Sequence, residues 1–373
     1  MMHKKCMKKV LTIFVFFATL FTIVVHVNAS PNLATTTLIN KYSSMYVTYF
    51  KSPIEDKAWV DVFTLNTSPV SISKYLFGIF IENLGQIIAG RLIGTMHHGI
   101  WAEILDNPSF ESAKYFGSAA LLYLLKNETI AFAWTPYGSG NVSYSLVNGY
   151  CSGTAQKIVI HSLNTKRVGI AQGIYVPIHK INKYVVKMYL RGNISRVIIS
   201  LEKENGMILD KHVIEDVNGE WKEYEFNLSI PQGSINVGER IRFAITSDVP
   251  GWFEVDHASL MPADNIYGFD PDVIRLMKEA GITLIRWPGG NFASQYHWKD
   301  GIGPMVCRPT RLNMAWNIPE FNYVGTDEFM KFAELVGAEP LLAVNAGWNG
   351  TVEEAAEWVE YVNGNPNTTK WGL

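Results

Sequence analysis

Cysteine is scarce in this sequence, and its scarcity excludes two kinds of stabilisation. The 373 residues include three cysteines. Cys6 lies within residues 1–29, whereas Cys151 and Cys307 are far apart in the chain. Such a small number does not make a disulfide framework or a cysteine metal cluster. We therefore expect Cys151 and Cys307 to lie in different domains, and we expect stability to come from hydrophobic cores.

The sequence also lacks an excess of either positive or negative charge. Charged residues make up 18% of the chain and the formal net charge is -2, so the sequence has no basic footprint for nucleic acid. Aromatic residues make up 13%, which excludes intrinsic disorder. Glycine and proline occur in ordinary numbers, which excludes a collagen-like chain. The length and the 48% hydrophobic content suffice for two or three domains with real cores.

Residues 1–29 have the pattern of a cleaved export signal. Several lysines precede an apolar run over 10–27, and 27–29 resemble a small-residue cleavage site. The alternative is a single membrane anchor, because the run approaches the roughly 18 residues that span a bilayer. Polar residues follow the run at once, and we expect a secreted protein. Cleavage removes four lysines and no acid, and a mildly acidic secreted chain suits neutral substrates.

The rest of the chain divides into four segments that differ in their predicted secondary structure. Residues 30–72 form an N-terminal segment with a strand at 58–65, and 73–113 contain an apolar strand at 75–85. Residues 114–264 alternate short strands with turns, and 265–373 alternate helices with strands. These segments are the predicted domains that follow the signal peptide.

The segment 114–264 predicts a two-sheet β-sandwich. Asn-Gly pairs at 205–206 and 218–219 are typical hairpin turns, and regular short strands favour a sandwich. The predicted strands cover 157–161, 184–190, 196–201, 221–228 and 240–246.

The segment 265–373 has the pattern of a parallel sheet or a (β/α)8 barrel. The predicted elements are a helix between Asp270 and Gly281, a strand at 282–287, a helix from Thr326 to Gly337, a strand at 340–344 and a helix capped by Thr351. We count three barrel strands, ending near 80, 286 and 344. The fold class is therefore α/β plus all-β, with a partial barrel interrupted by the sandwich.

Polar residues follow each of the three strands. Glu82 and Asn83 end the first strand, Arg286 and Asn291 belong to the second, and Asn345 ends the third. In a barrel of this kind the carboxyl ends of the strands face the active site, and amide groups can both donate and accept hydrogen bonds to hydroxyls.

Aromatic and histidine residues near these strands are less specific signals. Trp287, Trp298 and Trp316 offer flat apolar faces for sugar C–H surfaces, although Trp287 and Trp298 fit a plain core equally well. The adjacent His97 and His98 do not share a helix face and have no third ligand of suitable spacing. We therefore expect no metal site and no cofactor.

The barrel segments resemble glycoside hydrolase family 51, the α-L-arabinofuranosidases. The resembling motifs are residues 76–85, 99–103, 286–292, 296–304, 308–312, 316 and 337–340. The segment 114–264 resembles the carbohydrate-binding jelly roll that some members insert after the first barrel strand. The strand at 58–65 resembles the one that members contribute to a β-sandwich following the barrel.

The resemblance implies roles for five residues. Glu82 and Asn291 would hydrogen-bond arabinose hydroxyls, and Trp316 would line the entrance. Arg286 would organise the site from beneath, and Asn345 would support it from the third strand. The implied substrate is an arabinose-containing polysaccharide or oligosaccharide. Members are often trimers or hexamers, so a homo-oligomer is an expectation that the sequence leaves open.

Members are retaining enzymes with two catalytic glutamates, an acid/base after the fourth strand and a nucleophile on the seventh. This sequence contains neither segment, so we expect no catalytic residue in this chain and identify it as the N-terminal part of an arabinofuranosidase. A longer product or a second polypeptide would then supply the rest of the barrel. Two alternatives stay open: a non-catalytic polysaccharide-binding protein and an inactive gene fragment. In the first, Trp134, Tyr144, Tyr150 and Trp252 of the sandwich stack on sugars or, equally well, form its core.

Overall fold

The computed structural model describes residues 70–84, 99–115 and 128–372. The chain divides into two compact units, Met1–Ser73 and Lys74–Leu373, and the elements below belong to the second. The predicted export segment, the strand at 58–65 and the two adjacent histidines lie outside the described residues. Within the described ranges, no helix is long and apolar enough to cross a membrane.

The first strand of the α/β part is shorter than the sequence predicts. Strand β1 covers Ile79–Phe80 and follows a 3-10 turn at Lys74–Phe77. The Gly78 N–H donates to the carbonyl of Tyr75 at 3.2 Å and closes that turn. The apolar residues 75–77 therefore lie outside the sheet, where they are exposed.

Residues 135–262 form antiparallel β-structure. Its strands are β2 (Thr135–Tyr137), β3 (Gly140–Asn148), β4 (Thr154–Leu163), β5 (Val168–Ile174), β6 (Lys183–Lys203), β7 (Ile208–Val217), β8 (Lys222–Ser229), β9 (Ile241–Ser247) and β10 (Gly251–Pro262). All five predicted strands have counterparts here, and the two predicted Asn-Gly turns connect β6 to β7 and β7 to β8.

Strand β6 belongs to two sheets, whereas the sequence predicts two separate strands there. Its first half pairs with β8 and β10, and its second half pairs with β7 and β9. Gly192 lies near the crossing point, where a Cβ would come within 2.4 Å of the carbonyl oxygen of Trp252. A glycine lets the long strand pass that close to β10. The two sheets therefore share one continuous strand.

Alternate side chains of the sandwich point into one hydrophobic core. Tyr184, Val186 and Met188 of β6 are fully buried, as expected for one face of a strand. Trp134 is also buried and stacks on Phe110 with ring centroids 4.7 Å apart. Trp134 is therefore a core residue, and the idea that it stacks on a sugar is wrong.

Helices and strands alternate after the sandwich. The elements are α1 (Pro271–Glu279), β11 (Leu284–Trp287), β12 (Arg311–Asn313), β13 (Ile318–Glu320), α2 (Thr326–Val336), β14 (Glu339–Leu342) and α3 (Val352–Asn363). The predicted helix starts are confirmed: the Asp270 side chain accepts from the N–H of Asp272, and the Thr351 hydroxyl accepts from the N–H of Glu354.

The described residues place three strands in one parallel sheet, in the order β1-β11-β14. These are the three strands counted in the sequence, although β14 ends two residues earlier than predicted. Trp287 and Trp298 are each 1% exposed and pack in the core beside this sheet. They are therefore core residues, not sugar platforms.

A disulfide bond joins Cys151 to Cys307, with their Cα atoms 4.9 Å apart. Cys151 lies in the loop between β3 and β4, and Cys307 lies at the end of a 3-10 turn, Met305–Cys307. The bond therefore joins the segment 114–264 to the segment 265–373, a pairing that the sequence did not predict. The two loops meet, because the Ser152 hydroxyl also donates to the carbonyl of Arg308 at 3.3 Å.

Candidate functional site

The predicted site residues gather along one edge of the parallel sheet. Glu82 follows β1, Arg286 lies in β11, Asn291 follows β11 and Asn345 follows β14. Because the three strands are parallel, their carboxyl ends lie at the same edge. We define the strand-end site as Glu82, Arg286, Asn291, Asn345 and Trp316. Trp316 belongs to none of the three strands and is linked to their edge by hydrogen bonds through Asn313.

Glu82 is held by the loop after β11. Its Oε1 accepts hydrogen bonds from the backbone N–H groups of Gly290 at 2.9 Å and Phe292 at 2.8 Å. Glu82 is 2% exposed, so these two donors provide the compensation that a buried carboxylate requires. No described residue donates a hydrogen bond to its Oε2.

The loop fits closely around Glu82 because of a glycine. Gly289 has a φ of +136°, and a Cβ at this position would come within 2.4 Å of the Cβ of Glu82. Any other residue would push the loop away from the carboxylate. The loop therefore both orients Glu82 and presents Asn291, whose backbone lies between the two N–H donors.

Asn291 and Arg286 have polar atoms without a hydrogen-bond partner among the described residues. Asn291 is exposed, and its side chain makes no hydrogen bond to a described residue. Arg286 is half-buried, with its guanidinium carbon 4.9 Å from the centre of the Phe80 ring. The buried Nε of Arg286 has no hydrogen-bond partner among the described residues. Unpaired polar groups at a strand end are where a ligand or further polypeptide can bind.

Trp316 reaches the same edge through a network of amides. Trp316 lies in the turn between β12 and β13, and its N–H donates to Oδ1 of Asn313 at 3.2 Å. The Nδ2 of Asn313 donates to the backbone carbonyl of Asn83 at 2.9 Å. The turn that carries the half-exposed Trp316 is thereby tied to the residue next to Glu82.

The sequence analysis missed Glu320. Its Oε2 accepts a hydrogen bond from Nδ2 of Asn83 at 2.6 Å, and its Oε1 accepts from the N–H of Asn322 at 2.9 Å. Burial raises the pKa of Glu320 to about 7, and these hydrogen bonds oppose that rise. The only signal in the sequence is an acid and an amide within the otherwise apolar run around 318–323.

Asn345 is joined to this edge through the segment after Asn291. Its Nδ2 donates to the carbonyl of Tyr296 at 3.2 Å and to Oδ1 of Asn349 at 3.1 Å. Its buried Oδ1 has no partner among the described residues. No hydrogen bond between described residues joins Asn345 directly to Glu82, so Asn345 lies at the margin of the strand-end site.

Within the described ranges, no group of three or more His, Cys, Asp or Glu side chains could hold a metal ion. The chemistry of the strand-end site is instead that of hydrogen bonding. It offers a carboxylate oxygen, an exposed carboxamide, a guanidinium and an indole face, a set that suits a polyhydroxylated ligand.

The C-terminal part of the chain is similar in sequence to known proteins. Residues 276–373 match a family model described as the alpha-L-arabinofuranosidase 1 domain. A probable alpha-L-arabinofuranosidase C of Aspergillus fumigatus is 50% identical over 107 residues, which are 29% of this chain and 21% of that protein. An intracellular exo-alpha-(1->5)-L-arabinofuranosidase of Bifidobacterium longum is 45% identical over 118 residues, 32% of this chain and 20% of that protein. The chain thus spans about a fifth of the length of these curated relatives.

A solved structure has a similar fold. It is an arabinose-bound α-L-arabinofuranosidase of glycoside hydrolase family 51, which superposes with a TM-score of 0.63 at 20% identity. The match covers 79% of this chain and 49% of that one. The resemblance to arabinofuranosidases is confirmed for the C-terminal part of the chain, which the family model covers, and the family 51 structure shows a similar fold.

Proposed function

We propose that this chain forms the arabinofuranose-binding part of an α-L-arabinofuranosidase active site. The observation that carries the proposal is the position of Glu82, held by the N–H groups of Gly290 and Phe292 at the carboxyl end of a parallel strand. The match of residues 276–373 to an arabinofuranosidase model supports arabinofuranosides as the substrate class.

In this proposal, Glu82 accepts hydrogen bonds from the sugar hydroxyls, Asn291 both donates to them and accepts from them, and Trp316 covers one apolar face of the ring. Arg286 and Asn345 support the site from behind. The reaction is exo-acting release of arabinofuranose from arabinan or arabinoxylan with retention of configuration. A retaining mechanism uses two carboxyl groups roughly 5–5.5 Å apart, and we assign neither to this chain. The rest of the (β/α)8 barrel, in a longer product or in a second polypeptide, would supply both.

The remaining segments also receive proposed roles. Residues 1–29 act as an export signal of a secreted protein, and 30–72 contribute a strand to a further β-sandwich. Residues 73–113 and 265–373 form the partial barrel. Residues 114–264 are an inserted jelly roll that binds carbohydrate, and their antiparallel strands support this assignment.

The proposal is tested by binding of methyl α-L-arabinofuranoside to the full chain, measured by titration calorimetry. We expect Asn291→Ala to lower the affinity about tenfold, since hydrogen bonds to a bound polar ligand are lost. Asn291 makes no side-chain hydrogen bond to a described residue, so the variant should fold normally. Asn367→Ala, at another exposed asparagine, is the matched control and should bind like the parent chain.

Two results would contradict the proposal. Equal affinity in the Asn291→Ala and Asn367→Ala variants would remove the strand-end site from binding. Hydrolysis of p-nitrophenyl α-L-arabinofuranoside by the chain alone would show that it contains catalytic carboxyl groups that we assign elsewhere. Binding of polymeric arabinan that Asn291→Ala leaves intact would favour the non-catalytic binding protein instead.

A further inference from the structure

A second site lies on the outer face of the sandwich sheet formed by β2, β5, β9 and the second half of β6. A cavity of about 440 Å³ opens there, which is within the roughly 300–1,000 Å³ of small-molecule sites. Six residues that define it are Tyr137, Lys166, Arg167, Gly206, Ile208 and Arg242. None of them belongs to the strand-end site.

Small residues form the sheet beneath the cavity. Ala171 of β5, Ala244 of β9 and Ser200 of β6 are neighbours in register across three strands. Their side chains lie on the face opposite the hydrophobic core, since the core takes the alternate residues of each strand. Long side chains from the margins therefore have room to lie across this floor.

One buried carboxylate organises those long side chains. Glu202 is fully buried, and its Oε1 accepts from Nη2 of Arg167 at 2.7 Å and from the Ser200 hydroxyl at 2.5 Å. Its Oε2 accepts from the Tyr137 hydroxyl at 2.9 Å. Arg167 and Arg242 both lie against the Tyr137 ring, at 5.3 and 5.4 Å from its centre. The Glu202 carboxylate thus accepts three hydrogen bonds from side chains of the protein itself.

The cavity retains positive charge after this pairing. Its walls include Lys166, Arg167 and Arg242 and no carboxylate, while Glu202 beneath them balances one cation. Arg242 is only weakly engaged by Glu202, at 3.9 Å, and by the carbonyl of Lys203, at 3.3 Å. Its buried Nε has no hydrogen-bond partner among the described residues. The three cations and the Glu202 carboxylate therefore leave two positive charges, and the Arg242 N–H has no partner among the described residues. This arrangement favours the binding of an anion.

We infer that this cavity binds a carboxylate carried by a sugar, such as a uronic acid residue of a polysaccharide, with Arg242 and Lys166 as its charged contacts. The inference rests on the proposed glycan binding by the sandwich and names the ligand for it. A planar guanidinium pairs with a planar carboxylate through two parallel hydrogen bonds. Among the lining residues, Pro136 and the half-exposed Ile208 supply apolar surface for the C–H faces of a sugar ring.

Local and overall charge distinguish this ligand from a long polyanion. The whole chain has a formal net charge of -2, so it lacks the overall positive charge that is typical of nucleic-acid-binding proteins. A single carboxylate at a time matches one guanidinium and one ammonium group. The charge also separates this site from the strand-end site, where we propose a neutral furanose.

The test is titration calorimetry of the full chain with trigalacturonate at low salt. We expect binding that weakens about tenfold or more in Arg242→Gln, because hydrogen bonds to charged groups are among the stronger ones. Arg242→Lys should fall between the two, since it keeps the charge and loses the paired geometry. Arg196→Gln is the matched control, because Arg196 lies on β6, is half-exposed and pairs with Asp248 at 2.7 Å. It should bind like the parent chain.

Two further ligands identify the source of the anion. Fully methyl-esterified trigalacturonate keeps the sugar and removes the charge, and it should bind at least about tenfold more weakly. Inorganic phosphate should not compete at concentrations equal to those of trigalacturonate. Equal binding of the ester, competition by phosphate, equal affinity in Arg242→Gln, or no binding of trigalacturonate would each overturn the inference. Binding of methyl α-L-arabinofuranoside to the same preparation reports separately on the proposed function.

Discussion

The sandwich and the parallel sheet bury their apolar residues differently. In the sandwich, side chains from two sheets that share β6 fill one core, and most of its large apolar residues are nearly inaccessible. In the parallel sheet, Phe80 of β1 is 53% exposed and Leu341 of β14 is 46% exposed. Val344 beyond β14 and Val359 on α3 are similarly exposed.

This difference indicates which region is stabilised by its own contacts and which requires contacts with further elements. A two-layer sandwich covers both inner faces by itself, whereas a barrel strand needs neighbours on each side and helices around it. Exposed apolar residues on β1 and β14, the outer strands of the described sheet, mark surfaces for further protein contacts. That is consistent with the proposed rest of the barrel, in a longer product or in a second polypeptide.

The largest expected effect is in the core of the sandwich. Trp134→Ala should lower the free energy of unfolding by about 3–5 kcal/mol, because it leaves a cavity beside Phe110 and Phe243. It also removes the indole hydrogen bond to the carbonyl of Asn107 at 3.1 Å. Urea unfolding followed by circular dichroism measures the change.

The same substitution in the other region is the control. Trp316→Ala removes a half-exposed side chain and should lower the free energy of unfolding by less than about 1 kcal/mol. Equal losses in the two variants would contradict the expectation that the buried side chain contributes more to stability than the half-exposed one.

The disulfide gives the next largest effect, because it links the two regions. Cys151→Ser should lower the free energy of unfolding by roughly 2–4 kcal/mol, since a cross-link between residues 156 positions apart restricts the unfolded chain. The measurement is urea unfolding of the variant and the parent chain without reductant. Adding reductant should destabilise the parent chain and leave Cys151→Ser unchanged. A parent chain that is indifferent to reductant would contradict the link.

Local signals predicted much of the fold. The caps at Asp270 and Thr351 and the two Asn-Gly turns depend on neighbouring residues, so the sequence is sufficient to find them. Four of the five predicted site residues follow or lie in the parallel strands, and their common edge follows from strand direction. Their roles in substrate binding stay predictions.

Contacts between distant residues were not predictable in the same way. The Cys151–Cys307 pair, the continuity of β6 and the hydrogen bond between Asn83 and Glu320 each depend on how separate segments pack. The last of these joins residues 237 positions apart. No local pattern encodes such a pairing, and for that reason the sequence predicted neither the disulfide bond nor the position of Glu320.

The last expected effect depends on pH and concerns Glu103, a buried carboxyl group that accepts from the Ser259 hydroxyl and the N–H groups of Leu105 and Leu260. Burial raises its pKa to about 7 from an ordinary value of 4.5. The folded protein then holds a proton that the unfolded chain releases, so the contribution of Glu103 to stability is greatest below about pH 4.5 and falls as the pH rises towards 7. The loss amounts to at most about 3 kcal/mol.

Glu103→Gln should remove this share of the pH dependence, because glutamine keeps an acceptor for the two N–H groups and can donate to Ser259. Urea unfolding at several pH values between 5 and 8 should show a flatter profile than that of the parent chain, with a relative gain in stability at pH 8. Glu225→Gln, at an exposed carboxylate beside Lys187, should keep the parent slope. Since Glu103 ties residues 103–105 to β10, an unchanged slope in Glu103→Gln would mean that this contact does not bury the charge, and the sandwich would be less closed than its core indicates.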